Sequence, residues 1–213
     1  MQNPQRGSTE FTLRHQLDAL PATDLVMAQP VTSDRLGELA ELARREIPGV
    51  RASEQELAEF LRYDPQSIFA LCRGRKLLGG IAFLYLNCAG LDALLLDAFN
   101  LNDPARRHLA RPDEEVAAIY VWALVAQGRG AVGLGNVAQA LRGPRFHAAD
   151  YYAQPSSTEG RAFLGALGFA PVPSFQPDLW WYQRPWNRLP QVIAPSIQST
   201  RIFAERSLAD ARY

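Results

Sequence analysis

Residues 117–135 read Ala117-Ala-Ile-Tyr-Val-Trp-Ala-Leu-Val-Ala-Gln-Gly-Arg-Gly-Ala-Val-Gly-Leu-Gly135. The first nine are almost wholly apolar and rich in β-branched and aromatic side chains, which predicts a buried strand from Ala117 to Val125. The strand runs into a glycine-rich turn, after which Val137, Ala138 and Leu141 continue on helical spacing. A strand, a glycine turn and a helix aim several backbone N–H groups at one point, with the positive end of the helix dipole behind them, and so form a cradle for an anion. Glycine suits such a turn because a Cβ would keep a phosphate from the main chain. The amides of Gln127, Gly128, Arg129, Gly130, Ala131 and Val132 are the candidates for that contact, and Arg129 adds a charge. The alternative is a turn that serves tight packing alone. Gly130, Gly133 and Gly135 give the dinucleotide fingerprint in reverse, so a Rossmann reading fails on spacing, and a Walker loop fails for want of its Lys-Ser/Thr pair.

Upstream, Leu25 to Ala28 predicts a strand, followed by a helix capped by Thr32 or Ser33 with Leu36, Leu39, Ala40, Ala43 and Ile47 on one face, ended by Pro48-Gly49. Ser53-Glu-Gln-Glu56 is a capping box that opens a short helix through Leu57, Phe60 and Leu61. Ser67 to Cys72 and Leu77 to Leu86 form a hairpin about Arg73-Gly-Arg75. Leu94 to Asp97 is a further strand or the end of an excursion, and residues 100–115 are a polar loop. Downstream, Arg145 to Ala153 predicts a strand, Ser156-Ser-Thr-Glu159 a second capping box, Phe163 to Leu167 a helix closed by Gly168, and Trp180-Trp-Tyr182 a last strand.

The chain has 213 residues, 22 basic and 22 acidic side chains and a pI near 6.8, so no global field draws in nucleic acid or an anionic membrane. A chain of this length buries roughly 70% of its unfolded surface and needs no staple. Cys72 and Cys88 are the only cysteines, which excludes a disulfide framework or a Cys-rich zinc site and points to a reducing cytoplasm. No signal peptide and no run of about 18 uncharged apolar residues occurs. The expected organisation is a leader over 1–23, one domain over 24–185 and a tail over 186–213, whose Ile, Phe and Leu residues make a homodimer an option.

Two motifs together resemble the GNAT superfamily of acyl-CoA-dependent N-acyltransferases. Gln127-Gly-Arg-Gly130-Ala-Val132 is similar to that family's pyrophosphate loop, with Val132 where a small residue is usual, and Gly160-Arg-Ala-Phe-Leu-Gly-Ala-Leu-Gly168-Phe169 is similar to its later helix ending in Leu-Gly-Phe. The motifs stand about 30 residues apart with a strand between them, and the resemblance spans residues 24–185. It implies an α/β (α+β) fold: a mixed, mostly antiparallel central sheet with helices on both faces and a splay between the two central strands. It implies acetyl-CoA or another acyl-CoA as co-substrate and no metal. Its pantetheine arm would pair with main-chain groups of Trp122 and Leu124, and its pyrophosphate would lie on residues 127–132. There the side chains of Trp122 and Leu124 would matter less than the bulge that exposes their amides.

Many members of that family carry a tyrosine, placed to protonate the departing thiolate, where this chain has Leu164. Tyr151 or Tyr152 could reach the thiol instead, or be packed aromatics; Tyr152 is the candidate acid. Glu114 or Glu115 before the central strand, Asp97, His108 and His147 are the candidate bases, with Glu115 and His147 preferred. Arg106, Arg107 and Arg111 would favour an acidic acceptor if they lined its site. The expected function is acetyl transfer to a primary amine of a small molecule, amino acid or peptide. The alternatives are a module of the same fold that binds acyl-CoA or a protein without turnover, and transfer to a carrier-protein or lactone-forming substrate.

Overall fold

The computed structural model describes residues 25–47 and 53–184. The chain divides after Tyr182, and of the second unit only Gln183 and Arg184 are described. The leader, Pro48-Gly49 and the tail from 186 lie outside the described residues.

The first unit is built on a seven-stranded sheet. Its strands are β1 (Val26–Pro30), β2 (Ile68–Arg73), β3 (Lys76–Leu86), β4 (Ala118–Ala126), β5 (Asp150–Ala153), β6 (Ala170–Pro171) and β7 (Trp180–Tyr182), in the order β1-β2-β3-β4-β5-β7-β6. Every neighbouring pair is antiparallel except β4 and β5, which run parallel. The helices are α1 (Leu36–Glu46), α2 (Glu54–Tyr63), α3 (Cys88–Leu95), α4 (Leu134–Ala140) and α5 (Thr158–Ala166). The expected mixed, mostly antiparallel sheet is the observed one.

Alternation along the strands sorts the core between the two faces of the sheet. Leu36 and Leu39 of α1 and Leu57 of α2 pack on Ile68, Ala82 and Val125, while Leu94 of α3 continues that face over Leu84, Leu86 and Tyr152. On the other face Phe69, Phe83 and Tyr85 receive Val137 of α4, Leu141 and Phe146. β3 is buried along its whole length after Lys76, which is why it reads as a continuous apolar run rather than an alternation.

Local chemistry sets the helix ends. Ser53 Oγ accepts from the Glu56 amide while the Glu56 carboxylate accepts from the Ser53 amide, so the first capping box forms as written. The second is displaced by one residue. Ser157 is the cap and accepts from Gly160, which leaves Glu159 a residue short of the reciprocal position. Leu94 and Leu95 are helical rather than strand, because Asn87 caps α3 through the Gly90 amide.

The stretch expected as a strand from Arg145 is one only from Asp150. Pro144 opens a 3-10 turn over Pro144–Phe146, and the Arg145 side chain fixes it there. Its guanidinium reaches Asp64 Oδ2 at 2.6 Å and donates to the carbonyls of Glu114 and Arg111 at 3.1 Å each, lying over the rings of Tyr85 and Phe146. Asp64 is 3% exposed, so this pair ties the end of α2 to the approach to β4 and β5.

Candidate active site

β4 and β5 stay paired over four residues, Ala118 with Asp150 to Val121 with Ala153, and then β5 ends while β4 continues to Ala126. One side of β4 is therefore without a strand partner from Trp122 onward. At the same place the register with β3 slips: Ala82 faces Ala123 and Phe83 faces Val121, so Trp122 is the extra residue of a β-bulge. The Gln127 amide donates to the Leu78 carbonyl at 2.7 Å, which turns the main-chain groups of Ala123, Val125 and Gln127 toward β3. Alternation turns those of Leu124 and Ala126 to the open side, and the bulge breaks the alternation at Trp122.

The turn after β4 is a 3-10 helix over Gly128–Gly133 that leads into α4. Its amides divide into two groups. That of Gln127 is held by Leu78 and that of Gly130 by the Gln127 carbonyl at 2.9 Å, while Ala131 and Val132 lie inside the 3-10 helix, so at least two of the six amides expected in an anion cradle are already satisfied by the chain itself. Those of Gly128 and Arg129 precede the first hydrogen bond of the turn and point outward. Gly128 has φ +54°, a conformation that glycine takes without strain, and nothing lies within 4 Å of where its Cβ would stand. Gly130 is glycine for a different reason: a Cβ there would sit 3.2 Å from the Leu78 carbonyl oxygen. Its small size serves close packing on β3. Gln127 contributes its side chain, which donates to Glu46 Oε1 at 2.8 Å and ties the turn to α1. Glu46 lies below its ordinary range, held there by Arg45 and then by Gln127.

On the α1 and α2 face, the parted strands floor a cleft of about 800 Å³ walled by Leu39, Leu57, Tyr120, Trp122 and Gln154. A second chamber of about 430 Å³ adjoins it, lined by Glu56, Glu59, Tyr63, Asp103, Arg106 and Trp122 among others. Glu56, Asn102 and Trp122 line both. The Trp122 indole donates to the Leu101 carbonyl at 2.9 Å and its ring lies 5.0 Å from that of Phe60.

No protein-family model and no curated protein matches the chain. Among solved structures it is similar to Naa50 of Arabidopsis thaliana in complex with a bisubstrate analogue, at 15% identity over 73% of this chain and 95% of that one, with a TM-score of 0.46. It is also similar to an acetyltransferase from Thermus thermophilus, at 20% identity over 75% and 96%, TM-score 0.46, and to the diaminobutyrate acetyltransferase EctA of Paenibacillus lautus, at 12% over 74% and 93%, TM-score 0.44. The elements that matter for chemistry are read from this chain itself: the bulge, the parted strands and the open turn.

The residues expected to carry acid–base chemistry fall elsewhere. Glu115 and His147 pair with each other at 3.3 Å, both largely exposed, before the first residues of β4 and β5 and so at the opposite end from the parting. His147 follows the 3-10 turn and is not on a strand. Tyr152 is 5% exposed, packs at a tilt against Trp181 and lines neither cavity; burial and then Asp150 push its hydroxyl up to about 12. Glu114 and Arg111 hold each other in the polar loop, and Arg107 leans on His108. Of the three arginines only Arg106 lines the second chamber, where three carboxylates outnumber it.

Two residues that the sequence motifs do not single out for chemistry face the cleft. Tyr120 is buried, its hydroxyl raised by that burial, and its single O–H is donated to Gln154 Oε1 at 3.2 Å. Gln154 is in turn anchored on the Pro177 carbonyl. Glu56 reads in sequence as a helix cap alone. Its Oε2 does cap α2, at 2.8 Å from Ser53 N and 2.9 Å from Ser53 Oγ, yet its side chain stands where the cleft and the chamber meet.

Proposed function

We propose that the protein is an acyl-CoA-dependent N-acyltransferase that moves a short acyl group, acetyl in the simplest case, to a primary amine of a small molecule or peptide. The observation that carries this reading is the open side of β4, from the bulge at Trp122 to the two outward amides of Gly128 and Arg129. Four steps of strand from Trp122 to Ala126 span about 13 Å. A pantetheine arm, with about as many backbone bonds as a four-residue peptide, extends roughly 14 Å. With its pyrophosphate on Gly128 and Arg129, the thioester comes to rest beside Trp122, where β4 and β5 close.

In this reading the arm pairs with Leu124 and Ala126 as an added strand, and outward main-chain N–H groups polarise the thioester carbonyl. The acceptor enters through the smaller chamber, whose Glu56, Glu59 and Asp103 attract an ammonium group and whose Phe60, Tyr63 and Trp122 cover its apolar part. Glu56 takes the proton from the ammonium, directly or through a water. The neutral nitrogen attacks the carbonyl carbon, the C–S bond breaks as the C–N bond forms, and the second proton of the attacking nitrogen ends on the departing sulfur. Alignment supplies much of the rate in such a reaction, which agrees with the lack of a free phenol among the described residues of the cleft. The carboxylate majority in the chamber favours a cationic acceptor over the acidic one that an arginine-lined site would select.

Incubation with labelled acetyl-CoA and a panel of amines tests the assignment. Transfer to a basic amine supports it; thermal stabilisation by CoA with no product from any acceptor would make the protein a CoA-binding module of the same fold.

A further inference from the structure

Trp122 holds three positions at once: the extra residue of the bulge, a wall of the large cleft, and a wall of the small chamber. Its indole is pinned on both sides, by the hydrogen bond to Leu101 and by the Phe60 ring. A side chain held by packing and by a directed hydrogen bond does not swing aside for a ligand at small cost. The next residue toward the closed end, Val121, is already paired with Ala153. A group that grows from the apex of the parting toward the second chamber must therefore pass the indole.

We propose that Trp122 is the residue that limits the acyl group to a short chain and keeps the acyl and acceptor volumes apart. This rests on the acyltransferase reading. Carbons beyond the first few of an acyl chain meet the indole face, and because Trp122 lines both cavities, removing the ring joins the chamber of about 430 Å³ to the cleft of about 800 Å³ and admits them. Each methylene then buried in the joined cavity is worth about fourfold in affinity. The same wall keeps the acceptor's cationic group on the carboxylate side, at Glu56, and away from the pantetheine.

Binding of free CoA, acetyl-CoA and hexanoyl-CoA is measured by calorimetry on the full chain and on the Trp122→Ala, Trp122→Leu and Trp122→Phe variants, with thermal unfolding as the check on folding. The wild type is expected to bind acetyl-CoA in preference to hexanoyl-CoA. In Trp122→Ala the preference reverses, with hexanoyl-CoA gaining at least about tenfold over acetyl-CoA. Trp122→Leu carries the same test if the alanine variant does not fold. Trp122→Phe loses the bond to Leu101 but keeps an aromatic wall, and is expected to retain the wild-type preference. An unchanged ratio of the two acyl-CoAs in folded Ala and Leu variants, with free CoA still bound, overturns the role of Trp122 and leaves the acyltransferase reading standing. No binding of CoA by the wild type overturns both.

Discussion

The Gln127 amide is closed onto the Leu78 carbonyl at 2.7 Å, one residue beyond the end of β4. This last rung ends the pairing of β4 with β3, and the two residues after it, Gly128 and Arg129, precede the first hydrogen bond of the turn. Arg129 adds an exposed guanidinium at the same point. Arg129→Glu is expected to weaken CoA binding by about tenfold or more, the value of one charge-assisted hydrogen bond, with the melting temperature unchanged. Equal CoA affinity in the variant would remove the pyrophosphate from this turn.

Gly130 is expected to answer differently from its neighbours. Its missing Cβ makes room for the Leu78 backbone, so Gly130→Val forces the turn away from β3. We expect a loss of about 1–3 kcal/mol in urea denaturation, the usual range for overpacking. A variant as stable as the wild type would show that the turn yields there freely.

Glu56 can be tested without disturbing its helix. Glutamine keeps the reciprocal capping bond to Ser53 but cannot accept a proton. Glu56→Gln is expected to lower kcat/KM for acyl transfer by about 10²–10⁴-fold while leaving acyl-CoA affinity and melting temperature as they are. Rates that match the wild type would assign Glu56 to the helix cap alone.

Much of this architecture is legible in sequence because it is written in local terms. The run from Ala117 to Val125, the alternation in the other strands and the Ser53–Glu56 box each name an element through its own residues, and each appears close to its expected bounds. The errors arise where distant groups decide. Arg145 reads as a strand residue by its neighbours, but its guanidinium is claimed by Asp64, 81 positions away in sequence. The same blindness affects the site. Glu115 and His147 flank the right strands, but a sequence does not say which end of a strand opens. Glu56 has a complete local explanation as a cap, and only the tertiary packing of α2 beside Trp122 brings it to the cleft.

Alkaline pH probes the buried phenols. Tyr120 and Tyr152 are both raised by burial, Tyr152 to about 12, whereas an unfolded tyrosine ionises near 10. The folded chain keeps protons that the unfolded chain releases, so their contribution is intact below about pH 10 and declines as pH rises from there toward about 12. Urea midpoints taken from about pH 8 to 11 are expected to fall only in the upper part of that range, and to fall less in a Tyr152→Phe variant. A midpoint that declines equally in both would place the loss at other groups.

The most direct test of the cradle and the parted strands is a titration of the isotopically labelled protein with CoA, followed through its backbone amide resonances. Gly128, Arg129, Leu124 and Ala126 are expected to shift strongly, while Gln127, already bound to Leu78, moves little. Saturable CoA binding with those four amides unmoved, or no binding at all, would contradict this placement of the cofactor.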